Sequence, residues 1–173
     1  MSTVSMQSVT ALGFLTAAVM ILPSVLYPVF AVSEKINVDL IVDTTTLKFT
    51  DLNNNQQPDP GEFGVVTGKL YTKGTQDEIG LYRCSFSWGG WANSTEGIPV
   101  TPGLQIFDMK GNGTIVVVGD EPPTGAIGKQ VVGAIAGGTG ELKGVSGTAT
   151  LTAKPMEGTN WPIEVVLDVE RPT

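Results

Sequence analysis

Gln105-Ile106-Phe107-Asp108-Met109-Lys110-Gly111-Asn112-Gly113-Thr114-Ile115-Val116-Val117-Val118-Gly119, and further on Ala134-Ile135-Ala136-Gly137-Gly138-Thr139-Gly140-Glu141-Leu142-Lys143-Gly144-Val145-Ser146-Gly147-Thr148-Ala149, form the stretch that decides the fold. Short runs of β-branched and apolar residues alternate here with glycine clusters, and Lys110-Gly111-Asn112-Gly113 reads as the turn between two strands. Glycine supplies positive φ and close backbone approach at tight corners, which closed sheets require.

The same punctuation recurs on both sides of this block. Strands are predicted at 37–43, 45–51, 63–71, 80–88, 103–108, 113–119, 131–136, 144–153 and 163–169. None of these segments carries a sustained 3.6-residue apolar period, so the domain is all-β. Val38, Leu40 and Val42 alternate with Asn37, Asp39, Ile41 and Asp43, which gives the first strand one face toward a core. Eight or nine strands at this spacing suit either a closed barrel or a sandwich, and composition does not choose between them.

A different kind of polymer precedes the strands. Every charged residue lies at or after Glu34, and residues 9–32 form an uncharged, largely apolar run of 24 residues. Such a run is long enough to cross a bilayer as a helix. Two readings compete. A cleaved secretory signal would use 11–22 as its apolar core, break at Pro23 and be cut after Val29-Phe30-Ala31. A retained anchor would keep the whole run and associate with a membrane, kinked at Pro23 and Pro28. No basic residue precedes the run to support a signal's n-region or to orient an anchor. The chain therefore divides into 1–33, signal peptide or anchor, and 34–173, a β-domain expected to be secreted or in the cell envelope.

Composition excludes several function classes. The chain has no histidine, which removes the commonest metal ligand and proton shuttle and with them zinc hydrolysis and Ser-His-Asp catalysis. A net charge of −7 with only 10 Lys+Arg offers no basic face for phosphates, so no nucleic acid is expected as a partner. With Cys84 as the single cysteine no intrachain disulfide forms, and the domain must hold itself by its core.

Residues 60–170 resemble the dirigent and allene oxide cyclase-like barrels. The Gly137-Gly138-Thr139-Gly140 block leading into a late strand carries the resemblance, together with Pro60-Gly61-Glu62-Phe63, Leu70-Tyr71, Tyr71-Thr72-Lys73-Gly74-Thr75 and Gly80-Leu81-Tyr82-Arg83-Cys84. The resemblance implies a closed antiparallel β-barrel of about eight strands. It also implies a small hydrophobic ligand whose cyclisation or coupling is steered by the barrel, and assembly as dimers or trimers. In allene oxide cyclases a cysteine, an early-strand glutamate and a bound water line the pocket; the cysteine carries over to Cys84, and the first strand offers Asp39 and Asp43 where the glutamate would stand. Dirigent proteins use paired carboxylates and an arginine, for which this chain offers Asp39, Asp43, Arg83, Asp108 and Glu141.

Tyr82, Cys84, Phe86 and Trp88 share one strand face by parity, and Arg83 lies on the other. The four are expected to line an apolar pocket; equally, such rings fill small barrels without leaving a cavity. Asp51, Asn53, Asn55, Asp59 and Glu62 occupy positions 1, 3, 5, 9 and 12 of a twelve-residue loop, the oxygen spacing of a calcium loop, although Gln56 stands where glycine is usual. The competing reading is a polar hairpin loop with local Asp and Asn turns. No other cofactor is indicated. Asn93-Ser94-Thr95 and Asn112-Gly113-Thr114 fit the glycosylation pattern.

Two functions are carried forward. One is an exported barrel that binds a small hydrophobic molecule and directs the stereochemistry of its cyclisation or coupling. The other is a non-enzymatic envelope scaffold with a packed interior. Fold alone does not separate them.

Overall fold

The computed structural model describes residues 32–56, 59–88, 101–122 and 127–172. The predicted N-terminal apolar helix lies outside them, and no helix among the described residues is long and apolar enough to cross a membrane. The domain is all-β, as expected. Eight strands run β1 (Val32–Phe49), β2 (Phe63–Thr72), β3 (Glu78–Ser87), β4 (Pro102–Met109), β5 (Gly113–Asp120), β6 (Gln130–Gly138), β7 (Ser146–Ala153) and β8 (Asn160–Arg171), with one 3₁₀ turn at Gly140–Leu142. Each is antiparallel to the next, and the order β1 to β8 closes on itself as a barrel. Closure rests on twelve β1–β8 pairs from Val32↔Arg171 to Asp43↔Asn160. No sheet edge is left open to seed aggregation.

Two expectations change. The predicted strands 37–43 and 45–51 are one strand, β1, because Asp43 turns its carboxylate onto the Thr45 N–H and hydroxyl and absorbs a register shift before Lys48. This bulge bends the strand without ending it. Val32 and Ser33, assigned to the leader, already pair with β8 and belong to the barrel.

The interior follows from a period of two. Val38, Leu40 and Val42 of β1, Leu70 of β2, Phe107 of β4, Ile115 and Val117 of β5 and the 163, 165, 167 and 169 positions of β8 are buried to 1% exposure or less. The glycine block turns a corner where two turns press together. A Cβ on Gly113 would lie 2.0 Å from the Thr139 carbonyl oxygen, and Gly113 also holds φ +107°; a Cβ on Gly138 would lie 2.3 Å from the Leu142 carbonyl oxygen. Only glycine fits both places.

The meander alternates its connections between the two ends. Those at 73–77, 110–112 and 139–145 lie at one end of the barrel; the connections from β1 to β2, β3 to β4, β5 to β6 and β7 to β8, which include the three longest, leave from the other, which we call the mouth. Long connections at one end of a rigid scaffold are where sites are built.

Candidate active site

Glu121 is the first residue after β5, at the mouth, and its side chain turns into the barrel: the residue is 7% exposed. Its backbone N–H donates to the Thr101 carbonyl at 2.9 Å, which ties the β5 end to the β4 start and aims the side chain inward. There Glu121 Oε1 accepts two hydrogen bonds from β3, the Tyr82 hydroxyl at 2.6 Å and the Cys84 thiol at 2.8 Å. The two donors lie two residues apart and so share the inner face of β3.

Gln105 of β4 sits directly opposite Cys84 and is fully buried. Its Nε2 donates to the Asp120 carbonyl at 3.3 Å, and its amide also acts on the Glu121 carboxyl. Its Oε1 reaches no hydrogen-bond partner, nor does the buried Trp161 Nε1 on β8. In the eight-strand ring β4 and β8 stand across from each other. An unmatched acceptor on one wall and an unmatched donor on the other cost energy unless a bound molecule meets them.

Burial dominates the electrostatics. Loss of water raises the Glu121 carboxyl above the ordinary carboxylate range, against the opposing pull of the Cys84, Tyr82 and Gln105 hydrogen bonds. Burial, reinforced by the neighbouring carboxylate, pushes the Cys84 thiol and the Tyr82 phenol up, so both stay protonated donors. Cys84 is therefore no thiolate nucleophile at rest.

Apolar walls complete the site. Phe107 meets Tyr82 edge-on with ring centroids 5.2 Å apart, and Phe86 tilts against Trp88 at 5.4 Å. Gly64 admits the Phe86 ring, since a Cβ there would lie 2.4 Å from its Cζ. Trp88, half-buried, is pinned by backbone hydrogen bonds to Gly61 and Glu62.

The sequence expectations divide sharply. Tyr82, Cys84 and Phe86 face the interior, and Trp88 packs on their rim. Asp39, Asp43, Arg83 and Asp108 do not: strand parity sends them to the outer wall. Asp39 accepts from the Gly74 N–H and borders an outer cavity of about 710 Å³ with Tyr71 and Glu164, while Arg83 pairs with Asp108 at 2.8 Å. Glu141 is exposed in the 3₁₀ turn at the end away from the mouth.

The 51–62 loop hydrogen-bonds to itself. Asp51 accepts the N–H groups of Asn55 and Gln56, and the Asn53 and Asn55 amides donate to Asp59. Glu62, 2% exposed, accepts the Leu52 N–H at 2.7 Å and the Asp59 N–H at 3.0 Å and so clasps the loop shut. Gln56 takes φ +61°, the left-handed turn that glycine usually fills in a calcium loop. Among the described residues no three acidic, cysteine or histidine side chains cluster to hold a metal. Asn112 is exposed in the β4–β5 turn, and Asn93 lies outside the described residues.

Sequence reasoning missed Glu121, Gln105 and Trp161. Gln105 shares parity with Phe107 on β4, which marks it as inward-facing. Glu121 shares parity with Ile115 and Val117 but lies past the end of its strand, where it reads as a solvated loop acid before Pro122 and Pro123.

No protein-family profile matches the chain, and no curated protein matches its sequence. Among solved structures it is similar to a pyocyanin demethylase, at 18% identity and TM-score 0.58 over 79% of this chain and 99% of that one. A pterocarpan synthase dirigent protein matches at 12% identity and TM-score 0.63 over 83% and 90% of the two chains. An exo-specific intermolecular Diels-Alderase matches at 14% identity and TM-score 0.57 over 81% and 99%. The architecture is thus the one shared by dirigent proteins and cyclising barrel enzymes, in agreement with the resemblance carried by the glycine block. At these identities the likeness is one of fold.

Proposed function

We propose that this chain is an exported barrel that binds a small, flat, hydrophobic molecule at its mouth and steers the cyclisation or coupling of that molecule. The observation that carries the reading is the Tyr82–Glu121–Cys84 cluster, a buried acid set among aromatic walls with unmatched polar atoms nearby. Both β3 donors converge on Oε1, and the carboxyl so held is the group through which Glu121 would exchange a proton or hydrogen bond with the ligand. A carboxyl raised above the ordinary carboxylate range suits that exchange, since a general acid or base works best with a pKa near the working pH. Tyr82 and Cys84 hold the carboxyl in one orientation, and the rings exclude water and fix the face on which the ligand lies. Structural neighbours that act as a Diels-Alderase, a demethylase and a dirigent protein support ligand chemistry inside such a barrel. Residues 1–31 would serve as the export signal or anchor.

Native mass spectrometry of the chain from its producing cells tests this. A retained non-covalent small molecule that is lost in Glu121→Ala is the expected result. A bare mass, together with no binding of acridine or N-methylacridinium to the wild type, would overturn the reading.

One feature favours a second role beside the first. Phe63, Val65, Leu104, Val118 and Val132 are 42–64% exposed on the outer wall of β2 and β4 to β6, with Leu104 paired to Val118. A patch of this kind suits a second copy of the chain, and light scattering after size exclusion would read a dimer or trimer.

A further inference from the structure

Among the described residues, no cationic side chain is among the groups that act on Glu121. The chain has 10 Lys+Arg and no histidine. All ten of those residues lie among the described residues and none is buried; Lys35, Lys69, Lys73, Arg83 and Lys154 bind carboxylates on the outer wall, and Arg171 binds Glu34 at the end away from the mouth. The groups facing Glu121 are neutral: the Tyr82 phenol and Cys84 thiol of β3 and the Gln105 amide of β4. Asp120, its neighbour in sequence, contributes only its carbonyl, to Gln105. Yet Tyr82 and Cys84 both direct a proton at one oxygen, the arrangement that stabilises a carboxylate. A buried carboxylate without a cationic partner is costly, so Glu121 rests protonated and its ionised form is favoured when a cation comes from elsewhere. Tyr82 and Phe86 share the inner face of β3 with Cys84, Trp88 packs on Phe86, and the faces of such rings attract positive charge.

We propose that the ligand of this barrel is a flat aromatic compound carrying a permanent positive charge or a strongly basic ring nitrogen, with Glu121 as its counter-ion. This rests on the reading of the barrel as a ligand-binding protein and names the class of ligand. A basic nitrogen takes the Glu121 proton: the O–H bond breaks, an N–H bond forms, and a carboxylate–iminium pair results. A permanent cation sends that proton to water. Affinity for the cation therefore rises with pH as Glu121 gives up its proton, then levels off. Tyr82 and Cys84 stay protonated throughout that range.

The test compares N-methylacridinium with acridine, which have nearly the same shape, at about pH 8, where acridine is uncharged and an ordinary carboxylate is ionised. Titration of the whole chain is followed by ligand fluorescence and by calorimetry in two buffers of different ionisation enthalpy. The cation is expected to bind about tenfold or more tightly than acridine and to release a proton below neutral pH, and Glu121→Gln is expected to erase the preference. Equal or tighter binding of acridine would overturn the proposal while leaving the barrel a ligand binder. A preference that survives Glu121→Gln would place the cation on the acidic outer surface, which also overturns it. Binding of neither compound, with no retained small molecule in the native protein, would remove both readings. Should Glu121→Gln fail to fold, the wild-type pH profile decides: a flat cation affinity sinks the proposal.

Discussion

Glu62 and Glu121 are both buried carboxylates at the mouth, and their surroundings give them opposite tasks. Glu62 meets two backbone N–H groups and closes the 51–62 loop. Removing it leaves both donors unmet, and Glu62→Ala is expected to cost about 2–4 kcal/mol, read as a lowered urea midpoint. Glu121 meets neutral donors only and is raised by loss of water. Its folded state prefers the protonated form, so its contribution to stability is present below the ordinary carboxylate range and is lost as pH rises through its raised folded value. Glu121→Gln keeps an acceptor for Tyr82 and Cys84 without that loss. The variant is expected to melt higher than the wild type near pH 8 and to match it near pH 4, which paired calorimetric scans at the two values would show. Tyr82→Phe removes one donor from the carboxyl and is expected to cost about 1.5–3 kcal/mol by denaturant titration.

At the scale of the element, the glycine block and β1 illustrate two ways in which a strand is bounded. The corner at Gly113 and Gly138 exists because two turns approach closer than any side chain allows. Gly113→Ala is therefore expected to destabilise by about 2 kcal/mol or more through strain at positive φ and a clash with the Thr139 carbonyl, measurable as a lower melting temperature with an unchanged far-ultraviolet spectrum. β1 is bounded by its partners: its 18 residues pair with β8 over twelve positions and with β2 on both sides of the Asp43 bulge, at 38–43 and 48–49. Leu40, fully buried on that strand, faces the core, and Leu40→Ala is expected to cost about 2–5 kcal/mol.

For the whole molecule, two sets of carboxyls pull the pH dependence in opposite directions. Glu164 bridges Lys73 and Lys154 on the outer wall, and those two hydrogen bonds draw it down to about 2; Glu78 is lowered by Lys69 and Asp43 by Thr45. Lowered groups contribute stability that is present above the unfolded value and lost as pH falls through the folded one, here between about 4.5 and about 2. Glu121 contributes the reverse, losing stability as pH rises above 4.5. The melting temperature is therefore expected to peak on the acid side of neutrality, near the ordinary carboxylate value, and Glu121→Gln should flatten the alkaline flank alone. A profile rising steadily to pH 8 would contradict the burial of Glu121.

The local sequence determined what depends on neighbours in the chain. Period-two alternation and glycine punctuation specify strands, their inner faces and their corners, so the all-β class and the inward placement of Tyr82, Cys84 and Phe86 were legible. Parity alone also carries the outward placement of Arg83 once Cys84 is inward. Tertiary structure decided the rest. Whether Asp39 or Glu121 supplies the buried acid depends on how the ring closes and where the chain leaves β5, and these are relations between residues far apart in sequence. The same closure put Gln105 opposite Cys84 and Trp161 on the facing wall. Water is excluded there by strands that meet only when the first pairs with the last, and that exclusion raises the Glu121 carboxyl above the ordinary carboxylate range.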